Sequence, residues 1–151
     1  MTTAIHRRVD ALRAGRDPSF VARLGSGWAV LGERQFLPGY CLLLADPVVA
    51  TLNDLAGEAR AAFLGDITAL GDAVLAATGA LRVNYAIFGN LEPALHAHVI
   101  PRFHDEPAEL RTAHPWAYDW GAAPAFDPEQ HRDLRDRIHA ALGHAAKARA
   151  P

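Results

Sequence analysis

The stretch Gly89-Asn-Leu-Glu-Pro-Ala-Leu-His96-Ala-His98-Val-Ile-Pro-Arg102-Phe103 concentrates most of the chain's chemical potential in fifteen consecutive positions. Leu95 to Phe103 is apolar enough for a strand, and alternate side chains of a strand share a face, so His96 and His98 point the same way. Ala94 joins them if the strand extends that far back. Before it, Leu81 to Phe88 alternates like a second strand, and Gly89 to Pro93 is a tight connection. Strand, short loop and strand predict antiparallel pairing.

Further out the pattern lengthens to helical spacing. Leu55, Ala59, Phe63, Ile67, Leu70, Val74 and Ala77 recur every three or four residues, predicting a helix over Asn53 to Thr78. Asn53 or Thr51 is expected to cap it, and Gly79 to stop it. Gly57, Gly65 and Gly71 inside it each cost up to about 1 kcal/mol, so tertiary packing must hold it. Upstream, Gly39-Tyr-Cys-Leu-Leu-Leu-Ala45 reads as a buried strand, and Phe20 to Leu24 with Trp28 to Leu31, parted by Gly25-Ser-Gly27, as a hairpin. Thr3 to Ala14 is a short helix with Ile5, Val9 and Leu12 on one side. Downstream, His104 to Pro128 is irregular and carries Trp116, Tyr118 and Trp120. A last helix is expected from Pro128 to Leu142, before a small polar tail with the composition of a disordered end.

A chain of 151 residues supports one domain, residues 1–151, and is long enough to build a core without staples. Cys41, the sole cysteine, has no intrachain partner for a disulfide. Hydrophobic residues at 50% against 21% charged exclude a disordered chain, and a net charge of -2 advertises no nucleic-acid partner. All basic residues but Lys147 are arginine. No signal-peptide core opens the chain and no run approaches the roughly 18 apolar residues of a membrane span, so the expectation is a cytoplasmic protein with no membrane partner.

His96-Ala-His98-Val-Ile-Pro101-Arg102 resembles the end of the motif of the histidine triad (HIT) superfamily of nucleotidyl hydrolases and transferases, His-x-His-x-His, two apolar residues and often Pro-Arg. Gly39-Tyr-Cys-Leu-Leu-Leu-Ala is similar to the family's Gly-(aromatic or His)-apolar strand. A Pro-containing turn, a long helix starting near Leu52-Asn-Asp-Leu55 and a strand with Asn84-Tyr85 follow in the family's order. The likeness covers about Ser26 to Phe103 and is nearest the bacterial diadenosine polyphosphate hydrolase-like branch, with Asn-Tyr-x-x-x-Gly-Asn before the motif. It implies an α+β HIT-like fold, an antiparallel sheet of about five strands with the long helix packed on it and terminal helices, residues 104–151 forming a C-terminal extension. It also implies a homodimer and places the nucleophile at His96. One position departs: Ala94 stands where the family has its first triad histidine, which puts the rate in question more than the fold.

The chemistry also follows from the side chains. Neutral imidazole is a good nucleophile near pH 7, since its ordinary pKa is about 6.5. Attack by His96 on the α-phosphorus of a nucleoside polyphosphate or phosphoramidate forms a nucleotidyl-histidine that water then cleaves. His98 can donate a hydrogen bond to a phosphoryl oxygen or the bridging atom, and Asn90 can donate its amide to the developing charge. No Walker-type loop is present, no cofactor is expected, and no metal ligand is assigned.

Plainer readings stand beside these. His96 and His98 can be a solvated pair on an edge strand, since eight histidines produce a His-x-His on the order of 0.4 times by chance. Asn90 after Gly89 can be turn chemistry. Arg102 reads as an ion-pair or rim residue, Asn84 as structural, and His104, His114, His131, His139 and His144 as surface residues. The aromatic stripe from Trp116 to Trp120 reads as packing or subunit contact before base stacking. A rival function is a metal site of His96, His98 and His104 with Asp105 or Glu106; another is a nucleotide-binding protein with reduced catalysis.

Overall fold

The computed structural model describes residues 1–148. Helix α1 (Ala4–Arg13) opens the chain. Strands β1 (Phe20–Arg23), β2 (Gly27–Leu31) and β3 (Cys41–Ala45) precede the long helix α2 (Gly57–Thr78). Strands β4 (Arg82–Ala86) and β5 (His96–Arg102) follow, then a one-turn helix α3 (Ala108–Arg111) and the closing helix α4 (Arg132–Ala148). The strands make one antiparallel sheet in the order β1-β2-β3-β5-β4, and with these helices the fold is the α+β, HIT-like arrangement expected.

The sheet is covered on both faces, which is why β3 reads as an unbroken apolar run. Its five residues are all buried. Cys41, Leu43, Ala45, Ala97 and Val99 face α2 and α4, against Phe63, Leu70, Val74 and Ile138. Val30, Leu42, Leu44 and Ile100 face the other way, against Ile5, Val9 and Leu12 of α1 and, at the margin, Phe36, Tyr118 and Trp120. Residues opposed in register share a face, so Leu44↔His96 and Leu42↔His98 put both histidines on the α1 side.

Several boundaries moved. The expected helix from Asn53 begins at Gly57, after a separate 3-10 turn over Leu52–Asp54. There the Asp54 carboxylate accepts from the Thr51 N–H at 2.8 Å, so neither Thr51 nor Asn53 caps α2. Its cap is Ala56, without a side-chain hydrogen bond. Gly79 does end α2, in the left-handed conformation (φ 69°) that suits glycine. Ala59, placed in the buried stripe by spacing, is exposed in the first turn. The closing helix starts at Arg132, because Asp127 accepts from the N–H groups of Glu129 and Gln130 in a preceding turn. It runs past Leu142 to Ala148; the rest of the tail, 149–151, lies outside the described residues. Contrary to the sequence reading, α2 is long and apolar enough to cross a membrane by length and composition, with a mean hydropathy of 1.4 over its best window. Its buried side, with Phe63, Ile67, Leu70, Val74 and Ala77, packs against the sheet and α4 and makes up 33% of that window.

Candidate functional site

β5 lies between β3 and β4, so the histidine pair sits in the interior of the sheet, and the reading of a solvated pair on an edge strand does not hold. His96 is 9% exposed, and its ring centroid lies 5.0 Å from that of His98. Nδ1 of His96 is 2.7 Å from the carbonyl oxygen of Ala94. A carbonyl only accepts, so Nδ1 carries the proton, and in the neutral ring it is Nε2 that holds the free lone pair.

His98 is held differently. Its Nδ1 lies 2.7 Å from the hydroxyl of Tyr40, just ahead of β3, and the two rings lie nearly parallel (6°). Tyr40 is 4% exposed, and burial pushes its phenol far above the ordinary value, so it keeps its proton. With Nδ1 as the partner, the phenol proton is satisfied by donating there, which leaves His98 as the Nε2–H tautomer. Burial first, and then the neighbouring His96, push the His98 pKa down to about 4. His98 is therefore a neutral hydrogen-bond donor at physiological pH.

Tyr40 owes its position to the segment before it. A Cβ on Gly32 would stand 2.2 Å from the Tyr40 ring, so glycine there makes room for the phenol. Buried Gln35 braces the loop: its amide nitrogen donates to the carbonyls of Gly32 and Tyr40, both at 2.9 Å, and its oxygen accepts from the Gly39 N–H at 3.1 Å. Sequence reasoning missed Tyr40 and Gln35 as site residues. The one available signal for Tyr40 was its place after Gly39 in the family-like strand; Gln35 carried none.

Two cavities meet at His96. The larger, about 620 Å³, includes Arg8, Arg34, Tyr40, His96, His98 and Trp120 in its wall. The smaller, about 320 Å³, is bounded by the 50–53 segment, by Ile87, Phe88 and Gly89, and by Ala94 and His96. Asn90 is exposed and lines neither. Ala94 is 1% exposed and packs in the cluster that contains Ile5 and Val9 of α1. Glu92 ties this connection to α1, its carboxylate accepting from the N–H groups of Ala4 (3.3 Å) and Ile5 (3.4 Å). Burial raises the Glu92 pKa, but hydrogen bonds from Thr3, Ile5 and Ala4 outweigh it and hold the carboxylate below its usual range.

The aromatic stripe packs within its own chain. Trp120 lies 3.9 Å from Phe36 and 5.3 Å from Tyr40, centroid to centroid. Trp116, 40% exposed, meets His98 edge-on at 5.1 Å and Phe88 at 4.8 Å. Arg102 is structural, as read. It donates to both oxygens of Glu106 (2.8 to 3.1 Å), to Asn84 Oδ1 (2.9 Å) and to the carbonyls of Leu110, Arg111 and Ala113. Asn84 is thereby structural too. His104, His114, His139 and His144 are exposed; His131 is half-buried and bonds to Asp127.

The metal rival fails on its donors. Glu106 spends its oxygens on Arg102, on the Tyr118 hydroxyl (2.6 Å) and on the Phe103 N–H (2.6 Å), while His104 and Asp105 are exposed. Among the described residues no three His, Cys, Asp or Glu side chains converge to hold an ion.

No protein-family model matches the sequence, and no curated protein does. Solved structures do. A histidine triad protein from Sinorhizobium meliloti is 25% identical, with a TM-score of 0.69 over 85% of this chain and 93% of that one. A zinc-bound histidine triad family protein from Mycobacterium smegmatis is 20% identical, with a TM-score of 0.66 over 91% and 94%. A hypothetical histidine triad nucleotide-binding protein from Sulfolobus tokodaii is 14% identical, with a TM-score of 0.72 over 93% and 94%. Sheet order, helix placement and these likenesses agree: the chain has the HIT-like fold, and its neighbours among solved structures are HIT-family proteins.

Proposed function

We propose that this chain is a nucleotidyl hydrolase or transferase in which Nε2 of His96 attacks the α-phosphorus of a nucleoside polyphosphate or phosphoramidate. The observation that carries the reading is the 2.7 Å hydrogen bond from His96 Nδ1 to the Ala94 carbonyl, which presents an unprotonated Nε2 beside two cavities. The P–Nε2 bond forms as the bond to the leaving group breaks. The imidazole then carries a positive charge that the Ala94 carbonyl stabilises through Nδ1–H. His98 donates Nε2–H to a phosphoryl oxygen, and Asn90 acts from the connection whose Gly89 borders the smaller cavity. Water cleaves the P–N bond, returning neutral His96 and releasing a proton with the nucleotide. Diadenosine polyphosphates belong to this substrate class.

The supporting fold likenesses include one protein described as nucleotide-binding. His96→Asn is the test: it abolishes turnover while nucleotide affinity stays near wild type, because the lost group acts in bond making. Acid-labile, nucleotide-derived mass on His96 supports the intermediate directly. Wild-type turnover in the variant refutes the mechanism.

The same reading includes association into a symmetric dimer. β4 ends the sheet, and Leu81, Tyr85 and Phe88 on and beside it are 45 to 50% exposed. An open strand edge with apolar neighbours suits pairing with a second copy. Trp120 and Tyr118 are already engaged by Phe36, so this edge is the better contact surface.

A further inference from the structure

Proton supply at the site narrows the substrate class. A phosphate or carboxylate leaves phosphorus as a stable anion, taking the bonding pair and needing no proton. An amine leaves only if its nitrogen is protonated as the P–N bond breaks, because an amide anion is far too basic to depart. The leaving group therefore reports whether the protein holds an acid beside His96.

Among the described residues, the groups around the pair supply none. Tyr40 donates to Nδ1 of His98, so for His98 to surrender its Nε2 proton and stay neutral, the proton it takes from Tyr40 must leave behind a phenolate in a buried site. Phe88 and Trp116 close over the same ring at 5.9 and 5.1 Å, and Leu42 opposes it from β3, so its surroundings disfavour an imidazolium. From β4, Ala86 opposes it. His96 commits its Nδ1 proton to the Ala94 carbonyl. Of the carboxylates in the shared cavity, Glu92 accepts N–H groups from α1 and stays ionised, while Asp17 and Glu33 pair with Arg8 at 3.0 and 3.7 Å. Position 94, on the same side as the pair, holds only the methyl group of Ala94, which relays no proton. The guanidiniums in the cavity wall, Arg8, Arg16 and Arg34, balance Asp17, Glu33 and Glu92 in charge and give up no proton either.

We infer that this site acts on nucleotidyl anhydrides, expelling phosphate or carboxylate, and discriminates against nucleotidyl phosphoramidates, whose amine must be protonated to leave. The inference rests on His96 being the nucleophile. In the productive step the His96 Nε2–P bond forms, the bridging P–O bond breaks, and its electron pair leaves on the anhydride oxygen. Tyr40 is a positioning residue here, since it acts through the tautomer of His98.

The test compares diadenosine tetraphosphate with the benzylamine phosphoramidate of AMP on the wild-type protein at pH 7. The expected kcat/KM ratio is at least about 100 in favour of the anhydride, the low end of what a missing general acid costs. Imidazole 15N spectra show His98 as the Nε2–H tautomer down to pH 5. Tyr40→Phe frees Nδ1 to accept a proton and narrows the ratio about tenfold at pH 5.5, which loss of packing alone would not do. A wild-type ratio below 100, or a His98 that protonates above pH 6, overturns the inference while leaving the His96 nucleophile standing. An unchanged ratio in Tyr40→Phe overturns the part given to Tyr40. If neither compound is cleaved, the nucleophile reading falls, and this inference with it.

Discussion

Replacing Arg102 by methionine tests how the end of β5 holds the segment that carries Trp116 against His98. Arg102 and Glu106 are both nearly closed to solvent, with side chains 7% and 2% exposed. Arg102→Met keeps the aliphatic stem but strands the Glu106 carboxylate and the carbonyls of Leu110, Arg111 and Ala113. Breaking a buried pair by removing one partner costs roughly 3 to 5 kcal/mol. Glu106 keeps the Tyr118 hydroxyl and the Phe103 N–H, which favours the lower half of that range. At about 2 to 4 °C per kcal/mol for a chain of this size, Tm falls by about 6 to 16 °C. Urea and thermal unfolding measure the loss, and the double variant Arg102→Met/Glu106→Gln recovers about 1 to 2 kcal/mol if the stranded charge is the cause. The pH dependence has a definite sign. Burial raises the Glu106 pKa, but hydrogen bonds from Arg102, Tyr118 and Phe103, with the Arg102 charge, hold it below the usual range. A folded pKa below the unfolded one stabilises the protein above the unfolded value, about 4.3, and that stability is lost as pH falls through the folded value. Arg102→Met flattens this acid limb. A loss under about 1 kcal/mol, or an unchanged acid limb, refutes the argument.

Two further outcomes follow from the same geometry. Ala94 is 1% exposed and packs in the cluster of Ile5 and Val9, so Ala94→His overpacks that side of the site: stability falls by about 1 to 3 kcal/mol and kcat/KM on diadenosine tetraphosphate does not rise, whereas a higher kcat/KM would show that the new ring is taken up by the smaller cavity that Ala94 borders. Light scattering at micromolar concentration gives about twice the 16.3 kDa chain mass, and Tyr85→Lys on the β4 edge shifts it toward the monomer; a wild-type mass near 16.3 kDa excludes the dimer.

The sequence by itself determined what depends on local periodicity and stereochemistry. Three-and-four spacing from Phe63 to Ala77 marked the long helix, Gly79 its end, and the alternation around His96 and His98 put both rings on one side of a strand that proved to be β5. Arg102 was legible as an ion-pair or rim residue, while its partner, Glu106 four positions on, was named only by the structure. Tertiary structure alone decided which groups meet those side chains. Tyr40 reaches His98 across 58 positions, because antiparallel register sets β3 beside β5. Ala94 became core because α1, from the far end of the chain, lies over the same face. Gln35 became a buried brace because the loop folds its amide onto three backbone groups, the carbonyls of Gly32 and Tyr40 and the N–H of Gly39. Periodicity records which face a side chain takes, whereas proton placement at the histidines depends on the partner opposite, and that partner is chosen by sheet register and layer packing.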